Sequence, residues 1–283
     1  MGGTHSDRIL HKNTGLKLFL QTIAARAYPR IIGQHREKSW VFFEIFLPML
    51  AVAAYVFVYR AIGAPEEYIG FVVIGGAMIA FWLNILWSMS SQMYWEKEQG
   101  NLSLYIMAPN SMTAILLGMA LGGLLATTLR AVVIIILGSW LFNVSYTINN
   151  YIQLIFILIL TMVALYGMGM MTSSIFLLLS REAWHLSNLA QEPVYLISGF
   201  YFPIKSLNFW VAAGASIIPL TLGLDAMRQL VFASGDELGF LPVQSEIFIL
   251  IFLCGFFLIG AYLLLAYMER LAIREGRLTE SRR

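Results

Sequence analysis

The 283-residue chain is 59% hydrophobic and only 12% charged, whereas soluble domains average about 45–50% and about 25%. This composition excludes an ordinary soluble protein and predicts an all-α polytopic membrane protein. The net charge of +2 gives no reason to expect a nucleic-acid partner, and the single cysteine excludes an intrachain disulfide.

The first predicted element is an amphipathic helix over residues 16–38. Apolar residues recur on one helical stripe, basic and polar residues lie off it, and Pro29 is expected to break or bend the run. Such a helix suits the cytosolic interface of a membrane. Residues 1–39 are therefore interpreted as a cytosolic N-terminus with an interfacial helix.

Six later segments are long and apolar enough to cross a hydrocarbon core, which needs about 20 residues. They are residues 40–60, 68–93, 111–142, 149–179, 184–200 and 246–268. Together they define a six-span transmembrane domain over residues 40–268, followed by a basic tail over residues 269–283.

A seventh apolar run, Leu207–Leu224, contains Pro219. Counting it as a full crossing would place the five C-terminal arginines outside, against the positive-inside rule. With six crossings and both termini in the cytosol, fourteen of the eighteen lysines and arginines lie inside. The run is therefore predicted to be a re-entrant helical hairpin in the outer leaflet, before the last span.

A hydrated segment separates the second and third spans. Tyr94–Pro109, with the sequence YWEKEQGNLSLYIMAP, is too rich in charge to lie in lipid. After Gly100 its apolar residues recur at helical spacing, which predicts a short amphipathic element at the membrane surface. A plain solvated loop is the alternative.

A second pattern lies between the fifth and last spans. The run Ser198-Gly199-Phe200-Tyr201-Phe202-Pro203 is followed by Pro219-Leu220-Thr221 and then by Asp225-Ala226-Met227-Arg228. Non-helical backbone at membrane depth is tolerated only where protein buries it or water reaches it. The external loop over residues 201–232 is therefore expected to border a pathway.

Together, these two patterns on a six-span chain resemble the permeases of type-2 ABC exporters, over residues 16–268. The resemblance implies a homodimeric permease in the cytoplasmic membrane, driven by two copies of an ATP-binding subunit. This subunit is expected to dock on residues 94–109, which we call the coupling segment. The coupling residues it implies are Glu96, Lys97, Glu98, Gly100, Leu102, Leu104 and Tyr105. The loop residues it implies are Ser198, Gly199, Phe200, Pro203, Pro219 and Arg228.

Charged and polar residues within the spans are candidates for the substrate pathway. Glu192 is expected near the midplane of span five, where an ionised carboxylate must be paired, protonated or wetted. A structural hydrogen bond is the equal alternative. Glu44 is expected near the cytosolic interface, paired with Lys38 or Arg36, and Arg130 near the outer headgroups. The other pathway candidates are Phe81, Trp82, Asn84 and Tyr195.

The chain has no phosphate-binding G-x-x-x-x-G-K-[ST] motif, no metal-ligand spacing and no evident catalytic cluster. ATP and Mg²⁺ are therefore expected on the partner subunit, and no cofactor or metal on this chain. The expected activity is export of a drug-like amphipathic molecule or a lipid. Export of a lipid-linked glycan is the alternative, and a membrane-embedded transferase is a third, less favoured class.

Overall fold

The computed structural model describes residues 15–91, 95–96, 98–101, 104–105, 111–179, 182–233 and 235–274. This part of the chain is helical and contains no strand. Its helices are α1 Leu16–Arg36, α2 Lys38–Ala61, α3 Glu67–Leu83, α4 Met112–Phe142, α5 Tyr151–Leu179, α6 Glu182–Ile197, α7 Phe209–Ala215, α8 Pro219–Val231, α9 Gly235–Leu238 and α10 Val243–Arg274. A π-helical segment, Asn84–Ser90, continues α3 directly.

Five helices are long and apolar enough to cross a membrane: α2, α3 with its π-helical extension, α4, α5 and α10. They coincide with five of the six predicted spans. The predicted span 184–200 corresponds to α6, which has 16 residues and is about 24 Å long at 1.5 Å per residue. That length is shorter than a hydrocarbon core of about 30 Å, so the predicted set of six full spans is not reproduced.

The predicted hairpin over residues 207–224 corresponds to α7 and α8, which meet at a bend of 109°. Pro219 is the first residue of α8, where its missing N–H breaks no helical hydrogen bond. Counted together, the two helices have the length and apolarity of one further span.

Helix α3 forms the centre of the bundle. In the spanning window of α3 and its extension 94% of the residues are buried, against 28% for α10 and 17% for α2. Small residues let neighbours approach α3 closely: Gly76 meets Val52 of α2, and Gly138 of α4 meets Val73. Contacts of this kind are the usual means of helix association in lipid.

Helix α1 packs lengthwise against the first half of α4. A Cβ on Gly118 would lie 2.6 Å from the Ile23 carbonyl, and one on Gly122 would lie 2.8 Å from the Ala27 carbonyl. Residue numbers rise in the same direction along both helices, from Ile23 to Ala27 and from Gly118 to Gly122, so α1 and α4 run parallel over at least one full turn. The position of α1 relative to the membrane stays a prediction.

Arg130 and Glu44 form an ion pair that the sequence did not predict. The Arg130 side chain is 3% exposed, so the expectation that it reaches the outer headgroups is wrong. The expected pairing of Glu44 with Lys38 or Arg36 is wrong as well. The predicted depth of Arg130 was counted from the start of α4. That early part of α4 packs against α1, whereas Arg130 itself meets Glu44 of the spanning helix α2.

Candidate functional site

The described residues of the coupling segment make helix-type backbone hydrogen bonds. The Trp95 N–H donates to the Ser91 carbonyl at 3.1 Å, and the Gln99 N–H donates to the Trp95 carbonyl at 3.0 Å. Gly100 then has φ +75°, a left-handed conformation that commonly terminates helices. The predicted break at Gly100 is therefore confirmed.

Glu96 is the best-anchored side chain among the described residues of this segment. It is 6% exposed, and its Oε1 lies 2.8 Å from Nη2 of Arg26 on α1. Its Oε2 accepts hydrogen bonds from the Tyr105 hydroxyl at 2.7 Å and from Asn101 Nδ2 at 3.0 Å. We call Arg26, Glu96 and Tyr105 the latch, because together they fasten the coupling segment to α1.

Two further features stabilise the latch: Arg26 stacks on the Tyr105 ring, and the Tyr105 hydroxyl is protonated. The Arg26 guanidinium lies 4.6 Å from the centre of the Tyr105 ring, a cation–π contact. Burial, reinforced by the hydrogen bond to Glu96, raises the pKa of the Tyr105 hydroxyl to about 12. The hydroxyl therefore stays protonated at neutral pH and donates to the carboxylate.

Arg30, one turn after Arg26, fastens α1 to the π-helical segment. Its Nη2 donates to the Ser88 carbonyl at 2.7 Å and also contacts the Ser88 hydroxyl. Burial lowers the pKa of the Arg30 guanidinium to about 10, which leaves the group charged at neutral pH. Helix α1, the end of span two and the coupling segment are thus joined by two arginines.

The predicted coupling residues have two different environments. Glu96 and Tyr105 face α1 and form the latch, whereas Glu98, Gly100 and Leu104 are exposed. Lys97 and Leu102 lie outside the described residues. The exposed face of the coupling segment consists of Trp95, Glu98, Gln99, Gly100 and Leu104.

The predicted pathway residues are divided in a similar way. Phe81, Trp82 and Asn84 are 4–6% exposed inside the bundle, and Asn84 Oδ1 accepts a hydrogen bond from the Tyr166 hydroxyl at 3.1 Å. These three side chains fill the interior of the single chain, so they do not line an open cavity in it.

The other two pathway candidates lie on α6. Glu192 is exposed and Tyr195 is partly exposed. Helix α6 touches the rest of the bundle lightly, through contacts that include a hydrogen bond from Trp87 Nε1 to Gln191 Oε1 at 2.9 Å. Glu192 accepts a hydrogen bond from the adjacent Gln191 amide at 3.2 Å. A carboxylate on the surface of an apolar bundle requires water or another polar surface beside it.

Arg228 organises the predicted loop residues. Its guanidinium, 2% exposed, donates to the carbonyls of Gly199 at 2.6 Å and Phe200 at 2.7 Å. It also donates to the Phe71 carbonyl of α3 at 2.7 Å. The structure thus brings the Ser-Gly-Phe turn and Arg228 together, 29 residues apart in sequence, against the centre of the bundle.

Three residues that make close contacts in the structure, with Glu96, Phe200 and Gln229 respectively, were not singled out from the sequence as site residues. In the sequence, Arg26 is only a polar residue on a predicted amphipathic helix, and Gly75 is one of many glycines in the predicted spans. Glu246 opens the last span, and a carboxylate at that position was a signal that could have been used. In the described part of the chain, no group of three or more His, Cys, Asp or Glu residues is placed to hold a metal ion.

The five long apolar helices define a multi-pass helical membrane protein. The family model "ABC-2 type transporter" matches residues 20–232, about three quarters of the chain, and the protein therefore belongs to that family. Two Escherichia coli proteins, of strain K12 and strain O157:H7, each called "Probable multidrug ABC transporter permease YbhR", are 23% identical over 135 residues. The match covers 48% of this chain but only 36% of each relative's length.

Proposed function

We propose that this chain is the membrane-spanning permease of an ATP-driven exporter in the cytoplasmic membrane. The observation that carries the proposal is the coupling segment, whose latch, built around the buried Glu96, fastens it to α1 while its other face is exposed. A loop that serves only as a connection has no need of a partly buried ion pair. Membership of the ABC-2 family supports the same function.

The proposed partner is an ATP-binding subunit, which supplies the ATP and Mg²⁺ chemistry. It binds the exposed face of the coupling segment, and two copies act on two copies of this chain. Movement of the partner is transmitted through the Arg26–Glu96 pair to α1. Because α1 packs along α4 through Gly118 and Gly122, the displacement reaches a spanning helix directly.

The proposed substrate is an amphipathic small molecule or a lipid, moved out of the cytoplasm or the inner leaflet. The described bundle offers no interior route at Phe81 or Asn84, so the pathway is placed at the surface of α6, against the second copy. The name "multidrug" of the two relatives supports a drug-like substrate. Export of a lipid-linked glycan is the other outcome that a transport assay can give.

Reversal of the charge at Glu98 tests the docking surface. The variant Glu98→Lys is expected to weaken association with the ATP-binding subunit by about tenfold, because a repulsive charge at an interface costs more than 1 kcal/mol. The measurement is the Kd between purified permease and candidate ATP-binding subunits, followed by substrate-stimulated ATP hydrolysis in liposomes.

The matched control for this experiment is Glu66→Lys, which reverses another exposed carboxylate in the turn before α3. It should bind the ATP-binding subunit like the wild type. If Glu98→Lys bound the ATP-binding subunit as tightly as the wild type, the exposed face of the coupling segment would be excluded as the docking surface.

Neutralisation of Glu192 tests the pathway. Glu192→Gln is expected to lower transport severalfold while leaving expression, assembly and ATPase binding unchanged, since the side chain is exposed and contributes little to packing. The measurement is substrate uptake into inside-out vesicles. Wild-type transport by Glu192→Gln would exclude Glu192 from the pathway.

A further inference from the structure

Two buried carboxyl groups meet where α8 packs against α10. Asp225 of α8 is 3% exposed and Glu246 of α10 is fully buried. Nε2 of Gln229 lies 3.1 Å from Asp225 Oδ2 and 3.2 Å from Glu246 Oε2. The two carboxyl side chains lie within hydrogen-bonding reach of each other. The pair therefore connects the second helix of the bent pair to the last spanning helix.

The donors around the pair are too few for two carboxylates. The Gln229 amide has two hydrogens, and the Leu241 carbonyl at 2.8 Å competes for them. The Phe240 N–H serves Asp225 Oδ2 at 2.8 Å. Oε1 of Glu246 is buried and receives no hydrogen bond from the described residues.

A hydrogen bond between two carboxyl groups requires a proton on one of them. The oxygen left without a donor, Glu246 Oε1, is the atom available to carry it. With both groups ionised, two negative charges in contact would repel each other after losing their hydration, and one shared proton removes that cost.

We propose that Asp225 and Glu246 form a proton-binding site that holds one proton and thereby ties α8 to α10. The proton closes a hydrogen-bonded chain that runs from the Phe240 N–H through Asp225 to Glu246. Loss of the proton leaves two buried carboxylates in contact and loosens the packing of α8 on α10.

The charges around the site offset one carboxylate but not two. Arg228, one turn along α8, acts on Asp225 through space and supplies one positive charge, while three of its hydrogen bonds go to backbone carbonyls at 2.6–2.7 Å. Helix α5 meets α8 through the neutral Thr161. On α9, Glu237 is exposed and the side chain of Asp236 lies outside the described part.

A cleft of about 490 Å³ lies beside the site. It is lined by Gln153 of α5, by Gln229 and Leu230, and by residues 239–244 before and at the start of α10. Gln229 belongs both to the wall of this cleft and to the acid pair, so proton exchange has a short polar route. In the proposed topology this end of the bundle is external, and the site then responds to external pH.

The test compares the pH dependence of stability in the wild type and Glu246→Gln, using the full chain in lipid nanodiscs. Carboxyl groups of an unfolded chain release their protons near pH ~4, so above that pH the folded protein binds one proton more than the unfolded one. Its stability should therefore fall as pH rises, by up to about tenfold in the folding equilibrium per pH unit. In Glu246→Gln the amide can still donate a hydrogen bond to Asp225, but it has no titratable proton. The variant should therefore lack this fall in stability with rising pH.

The control is Glu66→Gln, which removes an exposed carboxyl group and should follow the wild-type profile. Asp225→Asn is the second variant and should behave like Glu246→Gln. A direct readout is the infrared C=O stretch of a protonated carboxyl group at pH 7, expected in the wild type and absent in both variants. This readout needs no transport, so it is independent of the proposed function.

Parallel pH profiles for the wild type and Glu246→Gln would overturn the proposal. A wild-type spectrum at pH 7 without the protonated carboxyl band would overturn it as well, even if both variants failed to fold.

Discussion

Gly75→Ala is expected to destabilise the folded protein by about 3 kcal/mol or more, the upper range for overpacking a core. A Cβ at Gly75 would lie 1.6 Å from the Phe200 carbonyl oxygen and 3.1 Å from Nη2 of Arg228. The obstacle is backbone, and Arg228 fixes it through hydrogen bonds of 2.6 and 2.7 Å to Gly199 and Phe200. Neither α3 nor the loop can move without breaking that arrangement.

The measurement is the thermal midpoint of the purified chain in detergent, together with the fraction that remains monodisperse after heating. Gly255→Ala is the matched control, since a Cβ there meets no heavy atom within 4 Å and alanine favours a helix by roughly 0.5–1 kcal/mol. If Gly75→Ala were as stable as Gly255→Ala, the turn at residues 199–203 would not be packed on α3.

Glu96→Ala is expected to reduce partner-dependent ATP hydrolysis and transport by at least about tenfold, while the chain still inserts and folds. The substitution leaves the Arg26 guanidinium and the Tyr105 hydroxyl without their shared acceptor, and the partly buried charge of Arg26 then has no partner. The coupling segment then no longer moves with α1. The measurement is ATP hydrolysis in liposomes at saturating partner.

The latch can be separated from the docking surface by matched variants. Glu96→Gln retains the hydrogen bonds from Tyr105 and Asn101 but loses the ion pair, and it should fall between the wild type and Glu96→Ala. A double-mutant cycle of Arg26→Ala and Glu96→Ala should give an interaction energy of about 1–3 kcal/mol. Additive effects of the two substitutions, or full activity of Glu96→Ala, would contradict the latch.

The spans and the hydrated segment could be predicted because their signals are local. An apolar run of about 20 residues predicts a spanning helix directly, and a cluster of charged residues predicts a segment outside the lipid. Gly100 was found as a break by its residue type alone. The length of α6 was predicted almost correctly, as 17 residues against 16, but a helix of that length is too short to count as a full crossing.

The environment of each functional side chain could not be predicted in this way. Glu96 and Glu98 are two residues apart with the same charge, yet one is buried against Arg26 and the other is exposed. Their difference depends on where α1 packs, about 70 residues earlier in the chain. Arg130 was misplaced for the same reason, because its depth depends on which helix runs beside α4.

By itself, the sequence determined the membrane class, the positions of five spans and the hydrated segment between the second and third. These features follow from the transfer of each segment between water and lipid, which depends on composition along the chain. Only the tertiary structure decided that Glu96 is a latch, that Phe81 and Asn84 are interior packing, and that Asp225 meets Glu246. These environments depend on contacts between helices that are distant in sequence. The neighbouring helix, and not the residue type, determines whether a side chain is buried and which group it pairs with.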